Sequence, residues 1–193
     1  YFEFNPKTYK SWDLKFEVGK LKIQSYIGGE WFSSQAEGQQ VVNAINGASI
    51  GYVSSDGMDY QQVLEYGRKN GREELQDLTF HQRADRLKAL AKYLIEQKEK
   101  FYEISAWTGA TRTDSWVDIE GGIGTLFSYS SMAKNELPDK TFIVEGDPDM
   151  LSKQGTFIGQ HILVSKPGVA VHINAYNFPC WGMLEKLAPS IIA

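Results

Sequence analysis

The chain has 193 residues, 42% hydrophobic, 13% aromatic and 23% charged, which is the balance of an ordinary globular protein rather than a disordered, collagenous or membrane-embedded one. A chain of this length buries roughly 70% of the surface its unfolded form exposes, so its core needs neither disulfides nor a metal; the single cysteine, Cys180, excludes an internal disulfide. Twenty Lys and Arg against twenty-four Asp and Glu give a net charge of −4 with the signs interleaved, and no basic face is offered to nucleic acid or anionic lipid.

The apolar stretches, such as Ile162-Leu163-Val164 and Ile191-Ile192-Ala193, fall far short of the ~20 residues that span a bilayer, and no membrane segment is expected. The start, Tyr1-Phe2-Glu3-Phe4, lacks the basic-then-apolar order of a secretory signal, so a cytoplasmic context is expected. The final run, Pro189 to Ala193, is apolar and helix-compatible with no stop signal, and the chain reads as a fragment of something longer.

Residues 1–20 mix Phe2, Phe4, Tyr9, Trp12 and Phe16 with lysines and carry no assignable pattern; they read as an extension of unknown role. Leu21, Ile23 and Ser25-Tyr26-Ile27 alternate, break at Gly28-Gly29 and resume as Glu30-Trp31-Phe32, which predicts a β-hairpin. A second pair runs from Val41-Val42 to Ile45 and from Ile50 to Val53 around a turn at Asn46-Gly47. The chain therefore opens on a small β unit.

Asp59 is placed to cap a helix that carries Val63, Leu64 and Leu75, weakened by Gly67 and Gly71. Thr79 precedes a stronger one, in which Ala84, Leu87, Ala91, Leu94 and Ile95 recur at three- and four-residue spacing while Arg83, Arg86, Lys88, Lys92 and Glu96 take the other face. The pattern continues through Phe101, Ile104 and Trp107 to a stop at Gly109. Thr113-Asp114 then opens a third helix with Trp116, Ile119, Ile123, Leu126 and Phe127 on its apolar side, ending near Leu137-Pro138. An acidic, proline-broken loop is expected at 145–149, a strand over 155–165, a turn at Pro167-Gly168, and a short buried strand from Val169 to Asn174. Tyr176-Asn177-Phe178-Pro179 leads into a last helix with proline in its first turn. Strand, loop and helix in that order is where α/β enzymes hold ligands.

Three features carry possible chemistry. Cys180 lies at a helix start, where a thiol is acidified and can serve as a nucleophile, but beside Pro179 and Trp181 it reads rather as a small buried apolar residue. Glu120-Gly121-Gly122-Ile123-Gly124-Thr125 resembles a phosphate-cradling loop but follows no strand and has the wrong glycine spacing, so its glycines read as close helix packing. The run Asn174 to Pro179 could donate an amide to a developing oxyanion and receive part of a dinucleotide, although from chemistry alone Asn is as readily a turn residue or cap. His81, His161 and His172 lack the spacing of a metal site or triad, and no metal is expected.

The stretch from Gly168 to Pro189, centred on Asn174-Ala175-Tyr176-Asn177-Phe178-Pro179, resembles the first Rossmann strand and helix of the NAD(P)-dependent aldehyde dehydrogenases, whose general motif there is Pro-Trp-Asn-Phe-Pro. Asn177, Phe178 and Pro179 match, whereas Ala175 and Tyr176 depart. With Thr108 to Phe127 and Ser25 to Trp31, the departure resembles one branch, the aldehyde dehydrogenase half of the bifunctional ring-opening proteins of bacterial phenylacetate degradation; the likeness covers residues 21–193.

The resemblance implies an α/β chain, the N-terminal part of the aldehyde dehydrogenase fold. Its pieces are an extension at 1–20, the N-terminal part of a cofactor domain at 21–151, a bridging or oligomerisation strand at 152–167, and the first strand and helix of a Rossmann unit at 168–193. It implies oxidation of a CoA-linked semialdehyde, 3-oxo-5,6-dehydrosuberyl-CoA semialdehyde, to its acid with NADP, or NAD, in a homo-oligomer. By the same resemblance Asn177 stabilises the oxyanion, Ile173, Asn174, Ala175 and Tyr176 contact the cofactor, Phe178 lines the aldehyde tunnel, and Gly182 widens it for a CoA-ester chain. The family's nucleophilic cysteine and general-base glutamate match no position among the 193 residues, and the chain alone is expected to be inactive. The alternative is a non-catalytic interaction or assembly module derived from the same fold.

Overall fold

The computed structural model describes residues 21–193; the extension expected at 1–20 lies outside the described residues. The chain divides between Met58 and Asp59 into two compact units.

In the first unit, β1 (Leu21–Ile23), β5 (Ser49–Val53) and β4 (Gln39–Val42) form a three-stranded sheet in that order, β1 parallel and β4 antiparallel to β5. β2 (Ser25–Ile27) and β3 (Glu30–Phe32) make a separate antiparallel hairpin. Its two-residue turn is Gly28-Gly29, both at positive φ (58° and 86°), the backbone that a type I′ hairpin demands and that glycine adopts without strain. Opposite each other across the hairpin, Tyr26 and Trp31 meet edge to face at 5.1 Å. The expected first hairpin is thus present over Ser25 to Phe32, but Leu21 and Ile23 leave it for β5. Gly51 allows this: a β-carbon there would stand 2.1 Å from the Leu21 carbonyl oxygen.

The second unit is built on helices. Asp59 caps α1 (Tyr60–Leu75) by accepting from Gln62 N–H, as expected, and α1 buries none of its residues. α2 (Phe80–Glu96) starts on a capping box of Thr79 and Gln82. The helix ends at Gln97 and α3 (Lys98–Ala106) follows. The next helix opens on a Thr111 and Asp114 capping box, two residues before the expected Thr113: α4 (Arg112–Trp116) passes into a π-helical turn (Val117–Gly121) and then α5 (Gly122–Glu136). β6 (Phe142–Met150) and β7 (Ile158–Val164) form an antiparallel pair, and α6 (Pro179–Ile192) closes the unit.

The core lies where α2, α5 and α6 meet: Phe80, Ala84, Leu87 and Ala91 face Ile119, Ile123, Leu126 and Ala133, with Leu184, Ala188 and Ile192 alongside. Alanines at 84, 91 and 188 let the helices approach closely, and Ser130 Oγ donates to the Ala84 carbonyl at 2.8 Å, fixing α5 on α2.

Four expectations are corrected. Arg83, placed on the polar face of α2, is only 3% exposed: its guanidinium donates to Ser165 Oγ at 2.7 Å and to the Ile192 carbonyl at 3.2 Å, at the C-terminal end of α6 where a cation is favoured. Trp116, placed on the apolar side, is 56% exposed, because the π turn adds a residue and shifts the helix face. The expected loop at 145–149 lies within β6; the ladder slips between Glu145 and Asp149, which leaves Pro148, having no N–H, outside the regular pairing. Residues 169–174 form no strand, since a parallel strand needs a ladder partner and none of the described residues supplies one beside them. No helix of the described residues is long and apolar enough to cross a membrane.

Candidate functional site

Pro179 occupies the first position of α6, where its fixed φ suits the helix and its missing N–H costs nothing. The first intrahelical bond runs from Gly182 N–H to the Phe178 carbonyl at 2.9 Å, so the amides of Cys180 and Trp181 need partners from elsewhere. Phe178 cannot cap them with its side chain. Asp118, from the π-helical turn, does: Oδ1 accepts from Trp181 N–H at 2.7 Å and Oδ2 from Cys180 N–H at 3.3 Å. The carboxylate is 3% exposed, and its burial is compensated by two charge-assisted bonds and the positive end of the helix. The two amides are therefore spent on Asp118 and are not free for a phosphate.

The Cys180 thiol sits half-buried beside the same carboxylate. Burial pushes its pKa up to about 11, and the charge of Asp118 and a hydrogen bond to it act in the same direction. At neutral pH it is a protonated packing residue, with none of the acidity that a helix start gives a thiol whose neighbour is a cation.

Although 169–174 pairs with no strand, the segment is registered on α6. His172 Nε2 meets Ser190 Oγ at 3.1 Å, and Lys186 Nζ donates to Asn174 Oδ1 at 3.1 Å and to the Gly182 carbonyl at 2.7 Å. Two residues of extended chain rise about 6.7 Å and four helical residues about 6 Å, so alternate residues of the segment meet successive turns of the helix. Val171 and Ile173 point the other way, and Ile173 is 86% exposed, against the expectation of a buried strand.

The structure brings Asn174, Gly182 and Lys186 together: a β-carbon on Gly182 would lie 3.7 Å from Asn174 Oδ1 and from Lys186 Nζ, an ordinary contact. Ala175, Tyr176 and Asn177 are exposed, Tyr176 to 96%, and the chain bends over Tyr176, Asn177 and Phe178 into the start of α6. An apolar cavity of about 360 Å³, lined by Phe80, Tyr129, Leu137, Ile143, Pro189 and Ile192, belongs to the opposite end of α6.

Gly121 and Gly122 serve close helix packing, as the sequence indicates, whereas Gly124 meets nothing within 4 Å. A β-carbon at Gly121 would stand 2.3 Å from the Trp181 ring, and one at Gly122 would stand 2.8 Å from Trp181 Cα. His81 Nε2 is bound to the Leu137 carbonyl at 2.9 Å, and His161 is an exposed strand residue near Glu145. Among the described residues no three His, Cys, Asp or Glu side chains come together as a metal site.

Asp118 and Arg83 are the polar residues that sequence reasoning missed. For Asp118 a signal existed: Ser115, Asp118, Ile119, Gly122, Ile123 and Leu126 recur at three- and four-residue spacing, and a carboxylate within such a buried stripe requires buried donors.

The sequence profile of the aldehyde dehydrogenase family matches residues 31–193. The chain is 38% identical over 174 residues to a 3,4-dehydroadipyl-CoA semialdehyde dehydrogenase of Aromatoleum evansii, an alignment that covers 90% of this chain and 34% of that protein. The chain thus spans about a third of the length of that curated relative. Among solved structures it resembles betaine aldehyde dehydrogenase of Staphylococcus aureus, a double mutant in complex with NAD+, at a TM-score of 0.67 over 90% of this chain and 33% of that one. At 17% identity this likeness shows the fold alone, and that fold is of the α/β class expected from the sequence.

Proposed function

Since the chain belongs to the aldehyde dehydrogenase family, we propose that the full-length protein oxidises a CoA-linked semialdehyde to its acid, with a nicotinamide dinucleotide, NADP or NAD, as the oxidant. The observation that carries this reading is the 38% identity to a relative whose name specifies a CoA semialdehyde. The resemblance carried by residues 21–193 points to 3-oxo-5,6-dehydrosuberyl-CoA semialdehyde as the substrate; the relative's 3,4-dehydroadipyl-CoA semialdehyde shares its chemistry, an aldehyde at one end of a chain and a CoA thioester at the other.

Oxidation of an aldehyde to an acid removes a hydride from the carbonyl carbon and adds the oxygen of water, and the dinucleotide, when bound, accepts that hydride. In this reading a thiolate attacks the carbonyl carbon, the C=O electron pair moves to oxygen, and the Asn177 amide donates a hydrogen bond to that oxygen. Asn177 is exposed next to α6, free to face a substrate. Cys180 is not the thiolate, because its proton is held to about pH 11.

Ile173, Asn174, Ala175 and Tyr176 would hold the ring end of the dinucleotide. The exposed Ile173 and Tyr176 side chains fit a flat ring, and the spent amides of Cys180 and Trp181 do not fit its phosphates. Phe178 and Gly182 would line the aldehyde's path, Gly182 leaving room beside Asn174. Residues 21–151 then belong to the cofactor domain, 152–167 to an arm that joins subunits of a homo-oligomer, and 168–193 to the first strand and helix of the dinucleotide-binding unit.

The test offers the full-length protein a CoA-linked semialdehyde and the same semialdehyde without CoA, each with NADP and with NAD. Faster nicotinamide reduction with the CoA-linked compound is expected, and equal or reversed preference overturns the substrate class. The 193-residue chain alone is expected to reduce no nicotinamide with either aldehyde; measurable turnover by it would place a nucleophile within these residues.

A further inference from the structure

The bend that carries Asn177 has two points of attachment. On one side Asn174 is held by Lys186; on the other the chain enters α6. The residues between, Ala175, Tyr176 and Asn177, are exposed, so the direction of the Asn177 side chain depends on how the first turn of α6 is fixed.

That turn is fixed from far away in sequence. Phe178 supplies no cap, and the two amides that follow Pro179 are bound by Asp118, 62 and 63 residues upstream. Gly121 and Gly122 let Trp181 reach this carboxylate, since a β-carbon at either would collide with it. A local serine or aspartate at 178 would stabilise the helix start equally well. It would not tie the start of α6 to the buried turn before α5, as Asp118 does.

We propose that Asp118 is a positioning residue for the aldehyde oxidation: through the backbone of Cys180 and Trp181 it sets the direction in which Asn177 presents its amide. This rests on the reading of Asn177 given above. Asp118 touches neither substrate nor cofactor in this role.

The test is a double-mutant cycle in the full-length enzyme, reading kcat and KM for the CoA-linked semialdehyde, the dinucleotide Kd and the thermal midpoint. Asp118→Ala is expected to lower kcat about 10²-fold, the scale of a misplaced reacting group. Asp118→Asn keeps one acceptor for Trp181 N–H but sets an amide N–H₂ against Cys180 N–H, and a loss of about tenfold is expected; it carries the test if the alanine variant fails to fold. KM and the dinucleotide Kd stay within a few-fold of wild type. In an Asn177→Ala background the same Asp118 changes produce no further loss of kcat, while the thermal midpoint drops as it does with Asn177 present. Equal kcat losses in both backgrounds, or wild-type kcat for Asp118→Asn, overturn the positioning role and leave Asn177 in place. Wild-type kcat for Asn177→Ala overturns both.

Discussion

Trp181 lies so close over Gly122 that a β-carbon on the glycine would stand 2.8 Å from the tryptophan Cα and 2.9 Å from its backbone nitrogen. Backbone cannot yield as a flexible side chain can, so Gly122→Ala has to push α6 away from α5. We expect a destabilisation of ~1–3 kcal/mol from overpacking. Gly124, two residues on in α5, has nothing within 4 Å, and Gly124→Ala should gain ~0.5–1 kcal/mol from reduced backbone entropy in the unfolded chain. Urea unfolding of both variants checks the pair; a neutral alanine at 122 would contradict the close helix contact.

Cys180 gives a pH dependence whose sign is fixed by its environment. The folded chain holds the thiol proton to about pH 11, whereas an ordinary thiol releases it near 9. Above pH 9 the unfolded state therefore binds fewer protons than the folded state, and the thiol's contribution to stability is lost as pH rises from about 9 to about 11. Thermal midpoints across that window should fall more steeply for the wild-type chain than for Cys180→Ala, the difference isolating the thiol from the lysines and tyrosines that also titrate there. Parallel curves would contradict a raised thiol pKa.

In the β6 and β7 pair, Ile158 lies opposite Met150 and Ile162 opposite Val144, and all four side chains are exposed. Ile158 and Ile162 share one face of β7, the apolar face proposed to join subunits. Ile162→Glu in the full-length protein should shift the mass measured by light scattering toward smaller species. The same mass for Ile158→Glu and Ile162→Glu as for wild type would remove this hairpin from the assembly.

Local signals were readable wherever neighbours in sequence are neighbours in space. Asp59 and Thr79 are caps because a side chain three residues from an amide reaches it, and Ala84, Leu87 and Ala91 are buried because their spacing places them on one helix face. The motif around Asn177 carried the family resemblance for the same reason, being continuous. Arg83 was misread because its acceptors, Ser165 and Ile192, lie 82 and 109 residues away, and a periodic pattern cannot distinguish a solvated arginine from one that ends another helix. Asp118 was missed on the same ground. Val169 to Asn174 has the composition of a buried strand, but a strand is a relationship between two segments, and the composition of one does not supply the other.

Asn177 and Cys180 stand three residues apart with opposite expected roles, one exposed before α6 and one half-buried within its first turn against Asp118. The most direct measurement is steady-state kcat of the full-length enzyme with a CoA-linked semialdehyde for Asn177→Ala and Cys180→Ser, after both are shown to fold. Loss of a preorganised donor to an oxyanion should lower kcat by roughly 10²–10³ for Asn177→Ala, while Cys180→Ser keeps near-normal turnover with a modest loss of stability. An inactive serine variant beside a near-normal alanine variant would contradict this assignment and make the buried thiol the reacting group.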